Sequence, residues 1–163
     1  MDKASADINQ LVARGYDRIA DRYLERYSVS AVRSQKLAEL CEGLPAHARV
    51  LSAAAPASVA RQLVDCSFVV TDVDASASQI ERARRNVLEA QFIAADMMAV
   101  ELPGCAFDAV AAFYSITHLP RDERSDVLKR ITGWLKSGGR LLASFGVTPF
   151  DGYQAGWLGI AMF

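Results

Sequence analysis

From Ala48 onward the chain alternates short apolar runs with longer amphipathic segments, and this alternation restricts its fold more than any other feature. "ARVLSAA", "FVVTDVD", "QFIAAD", "FDAVAAFYSI" and "RLLASFG" are strand candidates. Between them, "PASVARQLV", "SASQIERARRNV" and "RDERSDVLKRITGWL" have helical spacing. Pro56 suits the first turn of one helix, Ser76 is a natural N-cap for the next, and Gly138-Gly139 is a stop signal for the third. Successive strands joined by helices pair in parallel, and apolar strands without strict alternation are buried on both faces. The pattern therefore predicts an α/β fold, a doubly wound parallel sheet covered on both sides. In such sheets a ligand lies beyond the carboxyl ends of the strands, where the strand order reverses. Ser52, Ala53, Asp74, Asp96 and the stretch from Phe113 to His118 occupy those positions.

Ahead of the alternating region, Asp7 to Tyr27 places Leu11, Tyr16, Ile19, Tyr23 and Tyr27 at helical intervals. Gly15 predicts a division into two helices, and a further helix, Ser34 to Glu42, ends at Gly43 and Pro45. The 163 residues thus read as one domain, with a helical cap over 1–45 and a Rossmann-like core over 46–163. A net charge of −1 without a basic tract argues against a nucleic-acid partner. No apolar run is long enough for a signal peptide or a membrane span. Cys41, Cys66 and Cys105 are scattered and form no CxxC pair, so neither a disulfide framework nor a metal site is expected. These features predict a cytoplasmic protein.

Asp74 ends the second strand, roughly twenty residues after the first, where a carboxylate can accept from both hydroxyls of a ribose. An acid beside the Ser76 cap, favoured by the helix dipole, is the alternative. Asp96 could accept from an adenine amino group with Met97 packed on the ring, or be an ordinary loop acid beside a core methionine. His118 could reach a substrate as a base or donor, or serve as a structural hydrogen-bonding group. Tyr16 and Tyr23, two turns apart on one face, suit packing or a lid.

Taken together, "GYDRIADRY", "TDVDASASQIERARRN", "FIAADM", "FDAVAAFYSITHLPRDER" and "GWLKSGGRLLASFG" resemble a class I S-adenosylmethionine-dependent methyltransferase along nearly the whole chain. The resemblance implies that Asp74, next to Ala75, holds the ribose, and that Asp96 and Met97 hold the adenine. It also implies that Tyr16 and Tyr23 cap the site and that Phe113 to Ser115 flank the methionine portion. An acceptor, expected to be a small molecule, would bind beneath the N-terminal helices.

One segment departs from this pattern. Where the family has a loop like "VLDLGCGTG", this chain reads "VLSAAAPAS", and no glycine lies between Gly43 and Gly104. Ser52 replaces the strand-end acid, and Ala54, Pro56 and Ser58 or their neighbours replace the glycines that allow close backbone approach. Encoding Leu-Gly-Cys-Gly-Thr-Gly-Val with C in every third codon position and shifting the frame by one base yields Ser-Ala-Ala-Ala-Pro-Ala-Ser. That is the run Ser52 to Ser58, so a compensated frameshift is the favoured hypothesis for its origin. The family also continues past the fifth strand with a helix and an antiparallel strand pair, and these last strands are expected to be lacking here. The fifth strand would then be a free edge beside an apolar tail of Trp157, Leu158, Ile160, Met162 and Phe163, suited to a homodimer. The expected function is methyl transfer impaired by the altered loop; the alternative is a methyltransferase-like remnant serving as a binding or dimerisation module.

Overall fold

The computed structural model describes residues 3–27, 30–54, 56–146, 154–157 and 160–162. Five parallel strands form the central sheet: β1 (Arg49–Ala53), β2 (Val69–Asp74), β3 (Gln91–Ala94), β4 (Phe107–Ala112) and β5 (Leu135–Ala143), in the order β3-β2-β1-β4-β5. β1 is central, with Leu51 opposite both Thr71 of β2 and Val110 of β4. The strand order reverses between β1 and β4, as the alternating pattern requires of a doubly wound sheet.

Alternation along the strands divides the core in two. Val50, Val70, Phe92 and Ala109 face α2 (Ala31–Cys41), α3 (Ala57–Asp65) and α4 (Ala77–Asn86), meeting Leu37, Leu63 and Ile80. Leu51, Val73 and Val110 face the other way, with α5 (Arg124–Trp134) supplying Val127, Ile131 and Trp134. Local chemistry fixes the helix starts. Ser30 caps α2 by accepting from the Arg33 amide, and Ser76 caps α4 by accepting from the Gln79 amide. Pro56 stands just before α3, whose first turn it introduces without a side-chain cap.

Two expectations about glycine are corrected. Gly15 does not divide the first helix: α1 runs unbroken from Lys3 to Tyr27. A mid-helix glycine costs only about 1 kcal/mol relative to alanine, and Gly15 is buried on a helix that also buries Ile19 and packs along α4. Nor does Gly138-Gly139 end the last helix, because α5 stops at Trp134 and both glycines lie inside β5. Phe107 pairs with Leu135 but Ala109 pairs with Arg140, so β5 carries extra residues through a bulge. Gly138 absorbs it at φ +75°. Asp108 secures the same corner by accepting from the Arg49 amide at 2.8 Å and from Lys136 Nζ at 2.7 Å.

Among the described residues the central sheet ends at β5, whose outer edge carries no strand. A separate antiparallel ribbon, β6 (Gln154–Trp157) and β7 (Ile160–Met162), follows, and β7 lies against α1. No local pattern signals this contact between distant segments. Leu158 and Phe163 lie outside the described residues, and the side chains of Trp157, Ile160 and Met162 are not described.

A Cβ on Gly139 would sit 2.9 Å from the Lys136 carbonyl oxygen, 3.0 Å from Leu135 Cδ2 and 3.3 Å from the Asp108 carbonyl oxygen. Gly139→Ala is therefore expected to destabilise the protein by about 1–3 kcal/mol, read as a lower urea midpoint. An unchanged midpoint would mean that the bulge has room the packing denies.

Candidate functional site

The carboxyl ends of β1 to β4 open into one cleft of about 740 Å³, its mouth included. Ala54 and Pro56 line it after β1, Asp74 and Ala75 after β2, Ala95 to Met97 after β3, and Tyr114, Ser115, His118 and Leu119 after β4. Helix α1 closes the top with Asn9, Val12, Ala13 and Tyr16. Asn9, Ala13 and Tyr16 recur at four and three residues, so they share one helix face.

Three polar contacts fasten α1 to three different strand-end loops. Asn9 Nδ2 donates to Asp96 Oδ2 at 2.8 Å. The Tyr16 hydroxyl and His118 Nε2 are 2.9 Å apart, their rings set edge to face at 83°. Asp17 Oδ1 accepts from Ser76 Oγ at 2.5 Å and from Ser78 Oγ at 2.7 Å at the start of α4. The Ser78 amide adds a third bond at 3.2 Å. Burial acts to raise the Asp17 carboxyl, but these bonds outweigh it and hold the group below its ordinary value.

The two strand-end acids are ordered by their own loops. Asp74 Oδ1 accepts from the Ser76 amide at 2.7 Å, and Asp96 Oδ1 accepts from the Met98 amide at 2.8 Å. Arg130, stacked over Trp134, donates from Nε to the Met97 carbonyl at 3.1 Å and from Nη2 to the Val100 carbonyl, fixing the loop after β3. Arg124 similarly holds the loop carrying His118 through the carbonyls of Leu119 and Thr117, at 3.0 and 3.1 Å. Burial lifts the Asp74 carboxyl to about 6; the Ser76 amide opposes the shift and the Asp17 charge adds to it.

Of the residues singled out in the sequence, Tyr16, Asp74, Ala75, Asp96, Met97, Ser115 and His118 line the cleft. Phe113 does not. It is 5% exposed and packs with Ala109 and Ala111 in the core facing α2 and α3, because it continues their alternation past the strand end. The Tyr23 side chain lies outside what the structure describes. Asn9 and Gln79 line the cleft without having been singled out, although the spacing of Asn9 from Tyr16 would have revealed their shared face.

Ser52 is wholly buried and is not among the lining residues. Its cross-strand partner Asp72 is 2% exposed, and neither Ser52 Oγ nor Asp72 Oδ2 makes a hydrogen bond. Burial pushes the Asp72 carboxyl well above its ordinary value, opposed by the nearby Ser52 hydroxyl and reinforced by the Asp74 charge. The β1 turn is also unusual, since Ala54 adopts φ +52° while its amide donates to the Val73 carbonyl at 2.7 Å. A left-handed alanine costs of order 1 kcal/mol relative to glycine.

A raised carboxyl keeps its proton in the native state after the unfolded chain has lost it, so Asp72 and Asp74 disfavour folding as pH rises. For Asp74 this penalty accumulates between its ordinary 3.8 and about 6; for Asp72 it accumulates likewise above its ordinary 3.8. Asp72→Asn should therefore gain stability over the native sequence between pH 4 and pH 8. The gain is about 1.4 kcal/mol for each pKa unit by which the native group is raised. Urea unfolding at both pH values measures the difference, and a difference that does not change with pH would contradict the assignment.

Comparison with known proteins gives this architecture a family. The sequence profile described as "Methyltransferase domain" matches residues 52–139, more than half of the chain. The TehB-like SAM-dependent methyltransferase from Corynebacterium glutamicum is 21% identical, with a TM-score of 0.67 over 83% of this chain and 73% of its own. The Burkholderia thailandensis 1,6-didemethyltoxoflavin-N1-methyltransferase, solved with bound 1,6-didemethyltoxoflavin and S-adenosylhomocysteine, is 18% identical, with a TM-score of 0.77 over 99% of this chain and 73% of its own. The [4+2]-cyclase SpnF is 20% identical, with a TM-score of 0.69 over 83% of this chain and 59% of its own. No curated protein sequence matches significantly. The chain belongs to the methyltransferase-domain family, and S-adenosylmethionine is the cofactor that this membership implies.

Proposed function

We propose that the cleft is the nucleoside-cofactor site of a methyltransferase acting on a small-molecule acceptor, with its hold on the donor weakened at the β1 end. The observation that carries this reading is the convergence of Asp74, Asp96 and Met97 on the β2–β3 side of a cleft whose β4 side carries Ser115 and His118. In this reading Asp74, beside Ala75, accepts from the ribose hydroxyls and Asp96 accepts from the adenine amino group. Met97 packs against the base, and Tyr16 holds the helix cap over the sugar, with Tyr23 retained as a second capping residue on sequence grounds. Ser115 lies toward the donor's reacting end.

When bound, S-adenosylmethionine supplies an electrophilic methyl group. The contribution of this chain is then mainly orientation and exclusion of water. His118 Nε2, paired with the Tyr16 hydroxyl, offers a place for a proton leaving the acceptor. The adenosine portion of the cofactor fits the residues present; its amino-acid portion meets Ala54 and Pro56, which offer it no charged partner. That mismatch favours a second reading, a non-catalytic binding module on the same fold.

A cytoplasmic location without nucleic-acid partners belongs to the same proposal, supported by the net charge of −1. No helix among the described residues is long and apolar enough to cross a membrane. A homodimer through the outer edge of β5 is also proposed, since that edge carries no strand among the described residues. Sedimentation showing a monomer at high concentration would remove the dimer alone.

Calorimetry with S-adenosylhomocysteine and adenosine tests the nucleoside site. Asp74→Asn is expected to weaken whichever ligand binds by at least about tenfold, the loss of one charge-assisted contact. In the native sequence, affinity should rise as pH passes upward through about 6, where Asp74 ionises and regains its full acceptor capacity. Equal affinities for the variant and the native protein would remove the ribose role of Asp74.

A further inference from the structure

We infer that this cleft selects a neutral amino-purine nucleoside with a small apolar 5′ substituent over the amino-acid-bearing sulfonium donor. The inference rests on the nucleoside reading above and deepens it by assigning the ligand class.

The lining residues are distributed unequally. Carboxylates occur only after β2 and β3, at Asp74 and Asp96, where hydroxyl and amino donors of a nucleoside can be received. Between them and the β4 side, the cleft is lined by Ala54 and Pro56 after β1 and by Val73 of β2. Beyond it, after β4, Ser115 is 8% exposed and lines the cleft, while its Oγ is buried and has no hydrogen-bond partner. The order across the sheet is thus two carboxyl groups, an apolar saddle, and the polar residues Ser115 and His118.

A ligand that matches this order has its donors at one end and an uncharged, apolar extension from the 5′ carbon. The amino-acid end of S-adenosylmethionine reverses the requirement, since it brings an ammonium and a carboxylate to the saddle. Among the described lining residues there is no lysine or arginine for the carboxylate, and no third carboxylate for the ammonium. The first amides of α3 do not serve instead. Pro56 has no N–H, and neither Ala57 nor Ser58 lines the cleft. Ser52, at the end of β1, is fully buried and cannot receive a ligand amine. Burying charges without partners is far more costly than burying a thioether or methyl group.

Ala54 sets the height of the saddle. At φ +52° its Cβ is held in a conformation that glycine adopts without strain. Ala54→Gly therefore removes the side chain of a lining residue and relieves the turn, while leaving Asp74 and Asp96 in place.

Titration calorimetry of the full chain with adenosine, 5′-deoxy-5′-methylthioadenosine, S-adenosylhomocysteine and S-adenosylmethionine decides the matter. The methylthio nucleoside is expected to bind at least tenfold more tightly than either amino-acid-bearing ligand. Ala54→Gly should narrow that ratio at least threefold, with thermal unfolding confirming that the variant is folded. S-adenosylmethionine or S-adenosylhomocysteine binding as tightly as the methylthio nucleoside would overturn this inference and leave the nucleoside site standing. No binding by any of the four, with the native protein folded, would overturn both.

Discussion

The parallel pairing of β1 with both β2 and β4 is the constraint from which the rest of the structure follows. Because these strands run the same way, their carboxyl ends emerge on one edge, and the reversal of order beside β1 parts the loops that follow them. Asp74, Asp96 and His118 are distant in sequence, yet this geometry puts them around one opening. Helix packing on both faces then supports the opening: α3 and α4 pack on the β2 side, while Arg130 of α5 holds the loop that carries Met97.

The long first helix turns the opening into a cleft. Its contacts to Asp96, His118 and Ser76 each reach a different loop, so its position depends on all three strand ends together. The same contacts place Asn9 in competition with any ligand donor aimed at Asp96 Oδ2. A ligand must share that oxygen, which has a second lone pair, or displace the asparagine. Buried acids make the arrangement tense. Asp72 contributes nothing to the cleft surface and is costly to ionise, whereas Asp74 offers an acceptor there in return for a raised carboxyl. The fold alone does not decide the reaction, as a neighbour named a cyclase illustrates.

The helix and strand order was legible because period and capping agree locally. Ser76 followed by the spacing of Ile80 and Ala83 could hardly begin anything but α4, and "FVVTDVD" leads directly to Asp74 at a strand end. Where the reading failed, a local signal was overruled by packing. Gly15 is a weak helix former, but neighbours on both sides bury the segment and keep α1 whole. Gly138 and Gly139 look like a terminator, but pairing with β4 draws them into β5. Phe113 follows the strand's alternation into the core where a position near the cleft had been expected.

The α/β class, the acids at the strand ends and a β1 turn without glycine are readable from the amino-acid order alone, since each depends on the chemistry of neighbouring residues. Only the tertiary structure decided that Asn9 meets Asp96, that Tyr16 meets His118, that Ser52 is sealed beneath the surface beside Asp72, and that β7 lies along α1. Those contacts join segments far apart in the chain. No local periodicity encodes the angle at which a helix crosses a sheet, and that angle selects which side chains meet.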